Sequence, residues 1–224
     1  MNVKKLLILL LCVLIASCAS MPRYSYPSEY EKMPAEKLYK LGNNYAQGDG
    51  VARNYDRAME YYQASADQGY PKAQYALGYM YRTGRAGVKN YNQATQWFER
   101  AAAQGNSDAQ YSLGVRYLLG QGTKQDDDTA FQWFQRSADQ GNPYAESQLG
   151  YMYAEGKSVP KNYHAAMMWY QRAANHGLAS AQYSLGLMYA NGVGTPVNRV
   201  KARALFQKAA DSGFGPAKTA LTEQ

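Results

Sequence analysis

The sequence predicts an all-α fold, a solenoid of five two-helix repeats of 36 residues each. Three observations carry this. Leu-Gly pairs stand at Leu41-Gly42, Leu77-Gly78, Leu113-Gly114, Leu149-Gly150 and Leu185-Gly186, always 36 residues apart and with no insertion. Each leucine is followed after four residues by a tyrosine (Tyr45, Tyr81, Tyr117, Tyr153, Tyr189) and after three more by a glycine (Gly48, Gly84, Gly120, Gly156, Gly192). Every unit then holds a second apolar stretch with helical spacing, closed by a further glycine.

The first 17 residues stand apart from the repeats. Lys4 and Lys5 precede an unbroken apolar run from Leu6 to Ile15, too short to span a bilayer comfortably and followed by the small residues Ala16 and Ser17. Ile15-Ala16-Ser17-Cys18 resembles the lipobox of bacterial lipoproteins. That resemblance implies a signal peptide over residues 1–17 and acylation of Cys18, with two or three acyl chains as a stable membrane anchor. The alternative is an ordinary secretory signal cleaved nearby, with Cys18 a plain thiol. Ala19 follows the cysteine where an aspartate commonly marks inner-membrane retention, so the expected place is the outer membrane, facing the periplasm. Cys12 lies within the leader, which leaves the mature chain without a disulfide and its stability dependent on packing.

Of the 224 residues, 46% are hydrophobic and 18% charged, a balance that suits a packed body and excludes a disordered chain. The net charge of +7 falls to +5 when the leader takes its two lysines away. That surplus suits acidic partners or lipid head groups but is too small and dispersed to argue for nucleic acid. Between the leader and the repeats, residues 18–34 carry Pro22, Pro27 and Pro34 and no helical periodicity, so the expectation there is a flexible tether.

The repeats occupy residues 35–216. In the first helix of each, leucine and the tyrosine four residues on share one face, and the glycine ends the helix. The second helix is marked by Ala58, Ala94, Ala130, Ala166 and Ala202, followed by large pairs such as Tyr61-Tyr62, Trp97-Phe98 and Trp133-Phe134, and then by small residues such as Ala102 and Ala138. Gly69, Gly105, Gly141, Gly177 and Gly213 close it. Such a hairpin cannot bury its own apolar face, and stacking buries it. Lys37 stands where the later repeats have Ala73, Ala109, Ala145, Ala181 and Ala217, as expected of a terminal repeat with no preceding neighbour. Residues 217–224 begin a sixth unit able to cover the last interface.

The order A-x-x-x-L-G-x-x-Y-x-x-G, a variable loop, and an A-x-x-W-[FY] helix ending in A-A-x-x-G resembles the Sel-one-like repeat, a relative of the tetratricopeptide repeat. Five copies in register cover residues 35–217. The resemblance implies a right-handed solenoid used as an adaptor or assembly platform. In bacterial envelopes, similar members are linked to exopolysaccharide export, flagellar motor assembly, host contact and immunity against antibacterial effectors.

Signals for catalysis dissolve on inspection. His164 and His176 have no second histidine or cysteine at ligand spacing and read as surface histidines. Gly156-Lys157-Ser158 lacks the glycine spacing of a phosphate loop. Some cysteine-rich relatives are linked to penicillin binding or β-lactam hydrolysis, but this chain has no cysteine in any repeat. Ser158-Val159-Pro160-Lys161 matches S-x-x-K with a proline inside a loop, and Ser107-Asp108-Ala109 and Lys218-Thr219-Ala220 each lack a residue of the motifs that would accompany it. Neither an enzyme nor a cofactor or metal site is expected. Asp126, Asp127 and Asp128 read as a helix cap. Arg100, Arg136, Arg172 and Lys208 read as a solvated ladder partly paired with Asp139 and Asp211.

The binding candidates are aromatic. Positions two before and two after each leucine lie roughly 160° to 200° from the buried side, at about 100° per residue, and so face the groove. They hold Tyr39, Tyr75, Tyr111 and Tyr183 before the leucine, and Tyr79, Val115, Tyr151 and Leu187 after it, with Arg82, Arg116 and Leu118 alongside. Tyrosines with a few cations suit a protein-binding surface or a sugar-stacking one. For the earlier tyrosine column, packing against the neighbouring repeat stands as an equal reading. The function expected is a protein-interaction scaffold of the envelope serving in assembly or regulation, with effector immunity close behind. Polysaccharide binding is the rival class, and hydrolysis of cell-wall compounds or β-lactams the third.

Overall fold

The computed structural model describes residues 25–87 and 89–222. Cys18 and the leader lie outside the described residues. Within them the chain is all helical, with no strand: α1 (Ala35–Gln47), α2 (Tyr55–Asp67), α3 (Pro71–Thr83), α4 (Tyr91–Ala103), α5 (Ser107–Leu119), α6 (Asp127–Asp139), α7 (Pro143–Glu155), α8 (Tyr163–Asn175), α9 (Ala179–Asn191), α10 (Arg199–Asp211) and α11 (Gly215–Thr222). The fold is the expected all-α solenoid. Two compact units divide it, one reaching to Ala94 and the other beginning at Thr95.

Every helix from α1 to α10 has 13 residues, and its ends are chemically fixed. First helices stop at Gly48, Gly84, Gly120, Gly156 and Gly192, all with φ between 64° and 81°, where a β-carbon would cost roughly 1 kcal/mol. Second helices start at Asn54, Asn90, Asp126, Asn162 and Asn198, whose side-chain oxygens each accept from a backbone N–H three residues on, at 2.9–3.0 Å. The backbone N–H of each of these residues donates to the carbonyl of Tyr45, Tyr81, Tyr117, Tyr153 or Tyr189, so the loop is fastened back onto the first helix.

The Leu-Gly pairs show why the two helices of a hairpin approach so closely. Leu77, Leu113, Leu149 and Leu185 are buried. A β-carbon on Gly42 would lie 2.6 Å from the Tyr62 ring, on Gly114 2.5 Å from Phe134, on Gly150 2.8 Å from Tyr170, and on Gly186 2.6 Å from Phe206. The aromatic ring of the second helix thus sits directly under the glycine of the first. Successive hairpins are joined by a buried glutamine: the amides of Gln74, Gln110 and Gln182 donate to the carbonyls of Ala66, Ala102 and Ala174 at 3.2–3.3 Å.

Both ends of the repeat array are covered, one as expected and one not. At the C-terminal end α11 packs on α10 and buries Ala217, as the partial sixth unit predicts. The tether expectation is corrected over residues 25–34. Ser28–Lys32 forms a 3-10 helix, and Tyr30 is 5% exposed, stacked on Tyr61 at 4.6 Å between ring centres and clustered with Leu38 and Ala64. The Gln68 amide donates to the Met33 carbonyl at 2.9 Å, and the Tyr26 hydroxyl reaches Asp67 at 3.1 Å. With no earlier repeat to bury this end, the prolines shape a docked cap in which Tyr30 fills the vacant place.

Candidate interaction groove

A groove of one kind forms at three places where two first helices stand side by side over an aromatic floor. In the unit ending at Ala94 it lies between α1 and α3 over Tyr62, has a volume of about 260 Å³, and is lined by Tyr39, Tyr75, Tyr79 and Arg85. In the unit from Thr95 it lies between α7 and α9 over Tyr170, about 330 Å³, walled by Glu155, Ser184 and Leu187. Between α9 and α11 it lies over Phe206, about 420 Å³. Leu187 and Asn191 of α9 border both of these last two, which lie side by side along it. The floor residues Tyr62, Tyr170 and Phe206 are 36-residue equivalents of one another, so the groove is a product of the repeat itself.

The floor carries hydroxyls at two of the three places. Tyr62 donates to Asn43 Oδ1 at 2.8 Å, and burial pushes its phenol well above the ordinary range, against the nearby positive charge of Arg85. Burial likewise pushes Tyr170 up to about 12, helped by Glu155 and opposed by a hydrogen bond with Ser184. Both phenols stay protonated at neutral pH and serve as hydrogen-bonding groups in an otherwise apolar floor. Among the described residues no cluster of three His, Cys, Asp or Glu is placed to hold a metal.

The expected binding residues divide into three groups. Tyr75, Tyr79, Tyr183 and Leu187 line the groove. Arg82 lies 4.7 Å above the Tyr79 ring, and Tyr151 is exposed with Lys157 Nζ 5.4 Å from its ring centre. Tyr111 and Val115 are half-buried against the Phe134 cluster. The earlier tyrosine column proves to be a packing device at the same time: Tyr39 meets Tyr62 and Tyr70, Tyr111 meets Phe134 and Tyr144, and Tyr183 meets Phe206 and Phe214, all at 5.4–5.9 Å. Each ring packs between its own second helix and a ring at the entrance of the following first helix.

One expected groove residue is corrected. Arg116 is 4% exposed and occupies the row of Met80, Met152 and Met188, which are buried. One residue past the groove-facing position turns a side chain by about 100°, enough to carry it inside. The arginine ladder is corrected in its partners. Arg100, Arg136 and Arg172 lie 4.5–4.6 Å over Trp97, Trp133 and Trp169, whereas Asp139 and Asp211 accept from Gln135 and Gln207. His176 is also more than a surface histidine. Its Nδ1 stands 3.1 Å from the fully buried Glu146, which Arg172 Nε holds from the other side at 3.1 Å. Glu146 takes the place of the buried glutamine of other repeats, and Arg172 donates instead to the Ala138 carbonyl.

Sequence reasoning missed Arg85 and the floor residues. Arg85 lies just past Gly84, where helical periodicity no longer speaks. Tyr62 and Tyr170 were legible as core, but that their hydroxyls reach the groove depends on how far the neighbouring first helices stand apart.

Comparison with known proteins decides the family. The Sel1 repeat matches residues 38–70, 71–106, 107–142, 143–178 and 179–214. The chain belongs to the Sel1 repeat family. No curated protein matches it. Among solved structures, this Sel1 repeat protein is similar to a protective antigen of uropathogenic Escherichia coli with an SLR fold, at 33% identity and a TM-score of 0.81, over 87% of this chain and 42% of the antigen. It is also similar to a Sel1 repeat protein from Oxalobacter formigenes, at 30% identity and a TM-score of 0.81, over 87% of this chain and 77% of that one. An immunity protein from Pseudomonas aeruginosa shares the fold, at 22% identity and a TM-score of 0.56, over 84% of this chain and 72% of that one. This chain thus spans less than half the length of the Escherichia coli antigen. Sel1 repeat proteins generally mediate protein–protein interaction.

Proposed function

We propose that this Sel1 repeat protein is a non-catalytic docking module of the bacterial envelope that holds a protein partner in the groove along its first helices. The observation that carries this reading is the recurrence of one open groove, with an aromatic floor and aromatic or leucine walls, over Tyr62, Tyr170 and Phe206. Buried aromatic and arginine anchors beside apolar hollows are the groups that supply most of the energy in protein interfaces. Acyl chains on Cys18 would hold the module at the outer membrane on its periplasmic side, a placement supported by the leader and by Ala19 after the cysteine. The partner is taken to be a component of an envelope assembly or regulatory system, with an antibacterial effector as the second choice.

Affinity purification of the full chain from native envelopes after crosslinking tests this. The expected result is one stoichiometric protein partner, lost when Tyr79→Ala and Leu187→Ala are combined while the helical circular dichroism persists. Recovery of glycan without protein would replace the reading by polysaccharide binding. Acylation or turnover of a β-lactam by the purified chain would replace it by an enzyme. Labelling with radioactive palmitate, abolished by Cys18→Ser, tests the anchor.

A further inference from the structure

In the unit ending at Ala94, cations and rings alternate along one edge of the groove. Arg53 lies 5.9 Å from the Tyr55 ring centre and Arg85 lies 5.6 Å from it, while Arg85 and Arg82 lie 5.2 Å and 4.7 Å from the Tyr79 ring centre. Arg53 and Arg85 are exposed and Arg82 is half-buried. None of the three pairs with a carboxylate among the described residues, where the ion pairs of this unit are Lys40–Glu36 and Arg57–Glu60. Helix α3, which carries Tyr79 and Arg82, has no acidic residue at all.

Arg53 and Arg85 share the Tyr55 ring and Arg82 and Arg85 share the Tyr79 ring, which gathers like charges with no paired carboxylate among the described residues to offset them. Contact with the two rings restrains the guanidinium groups, whose N–H forks suit a carboxylate met in a bidentate fashion. The apolar hollow beside them, over Tyr62, takes a single leucine- or phenylalanine-sized side chain. We propose that this part of the groove binds an extended acidic segment of a protein partner, its carboxylates on Arg82 and Arg85 and an apolar side chain between α1 and α3. In an extended peptide successive side chains turn to opposite sides, about 3.3 Å apart along the strand, so acidic and apolar residues in series satisfy both features. A sugar ring is the poorer fit, because a sugar stacks on a bare aromatic face and the Tyr79 ring already carries two guanidinium groups. This assignment rests on the docking function proposed above and names its chemistry.

The test uses the full chain and fluorescence anisotropy of a fluorescein-labelled decapeptide in which Asp and Glu alternate with Leu and Phe. Saturable binding is expected, weakening with added salt, and at least roughly tenfold weaker for the same peptide with Asn and Gln in place of the acids. The pair Arg82→Gln and Arg85→Gln should cost a similar factor. The pair Arg82→Glu and Arg85→Glu should bind a peptide with lysines in place of the acids, a gain that no unfolding can mimic. Equal binding of the acidic peptide by wild type and by the glutamine pair would overturn the proposal. So would arginine-dependent binding of an oligogalacturonate or of phosphatidylglycerol vesicles in preference to the peptide. If the acidic peptide fails while Tyr79→Ala with Leu187→Ala still releases the envelope partner, the acidic segment is wrong and the docking function stands. If the envelope partner is retained by that groove pair, the docking function itself falls.

Discussion

Replacing Gly114 by alanine sets two effects of opposite sign against each other. Alanine in a helix interior is favoured over glycine by about 1 kcal/mol, so on propensity alone the variant gains stability. The new β-carbon, however, would lie 2.5, 2.6 and 2.9 Å from three atoms of the Phe134 ring, which is wholly buried and has nowhere to turn. Overpacking of this kind costs about 1–3 kcal/mol, and three contacts along one rigid ring put the cost near the upper end. A net loss of about 1–2 kcal/mol is expected. Equilibrium urea unfolding followed by circular dichroism reads it, and Phe134→Leu supplies the control. Once the ring is gone, Gly114→Ala should be neutral or stabilising, giving a coupling between the two sites. Stabilisation in the wild-type background, or the same loss in both, would refute the view that this glycine exists to admit the ring.

Three further outcomes follow from the structure. Tyr30→Ala should cost about 3 kcal/mol and raise amide exchange in α1 and α2 while leaving α7 to α10 protected; uniform exchange would return residues 25–34 to a tether. Glu146→Ala should cost about 1–3 kcal/mol by stripping Arg172 and His176 of their acceptor, whereas Glu146→Gln should stay within about 1 kcal/mol because the amide can donate to Ala138 as Gln110 does to Ala102; equal losses in urea unfolding would deny the shared role. The Thr129 backbone N–H and then its hydroxyl hold the Asp126 carboxyl below the usual carboxylate range, so its contribution is present above that range and fades as pH falls through the lowered value. Asp126→Ala should therefore lower Tm at pH 7 and not at pH 2, and an equal drop at both would contradict the cap.

Much of the fold was legible because each repeat states it again. One Leu-Gly pair is weak evidence, but five at a fixed spacing specify the hairpin, its glycine stops and the large ring beneath each glycine. The terminal cap was not legible, since Tyr30 belongs to no repeat and its burial depends on an end face that only the stacked helices create. Angular position on a helix led to Tyr79 and Leu187, which line the groove, and to Tyr151, which is exposed. It failed for Arg116, because a long side chain one residue off the groove direction enters the methionine row. It was incomplete for Tyr39, Tyr111 and Tyr183, whose rings also pack on a ring at the entrance of the following first helix. Arg85 and the Glu146–His176 contact escaped because loop direction and cross-repeat pairing leave no mark in the spacing of one helix.

Site-specific photocrosslinking tests the central claim most directly. With a photoreactive phenylalanine analogue at Tyr79 or Leu187 in the full chain, illumination of intact envelopes should give one discrete protein adduct. The same analogue at His164 or Met168, which line a separate hollow of about 440 Å³ between α8 and α9, should give none. Adducts of equal yield from both places, or from α8 alone, would contradict the assignment of the groove as the surface where the partner binds.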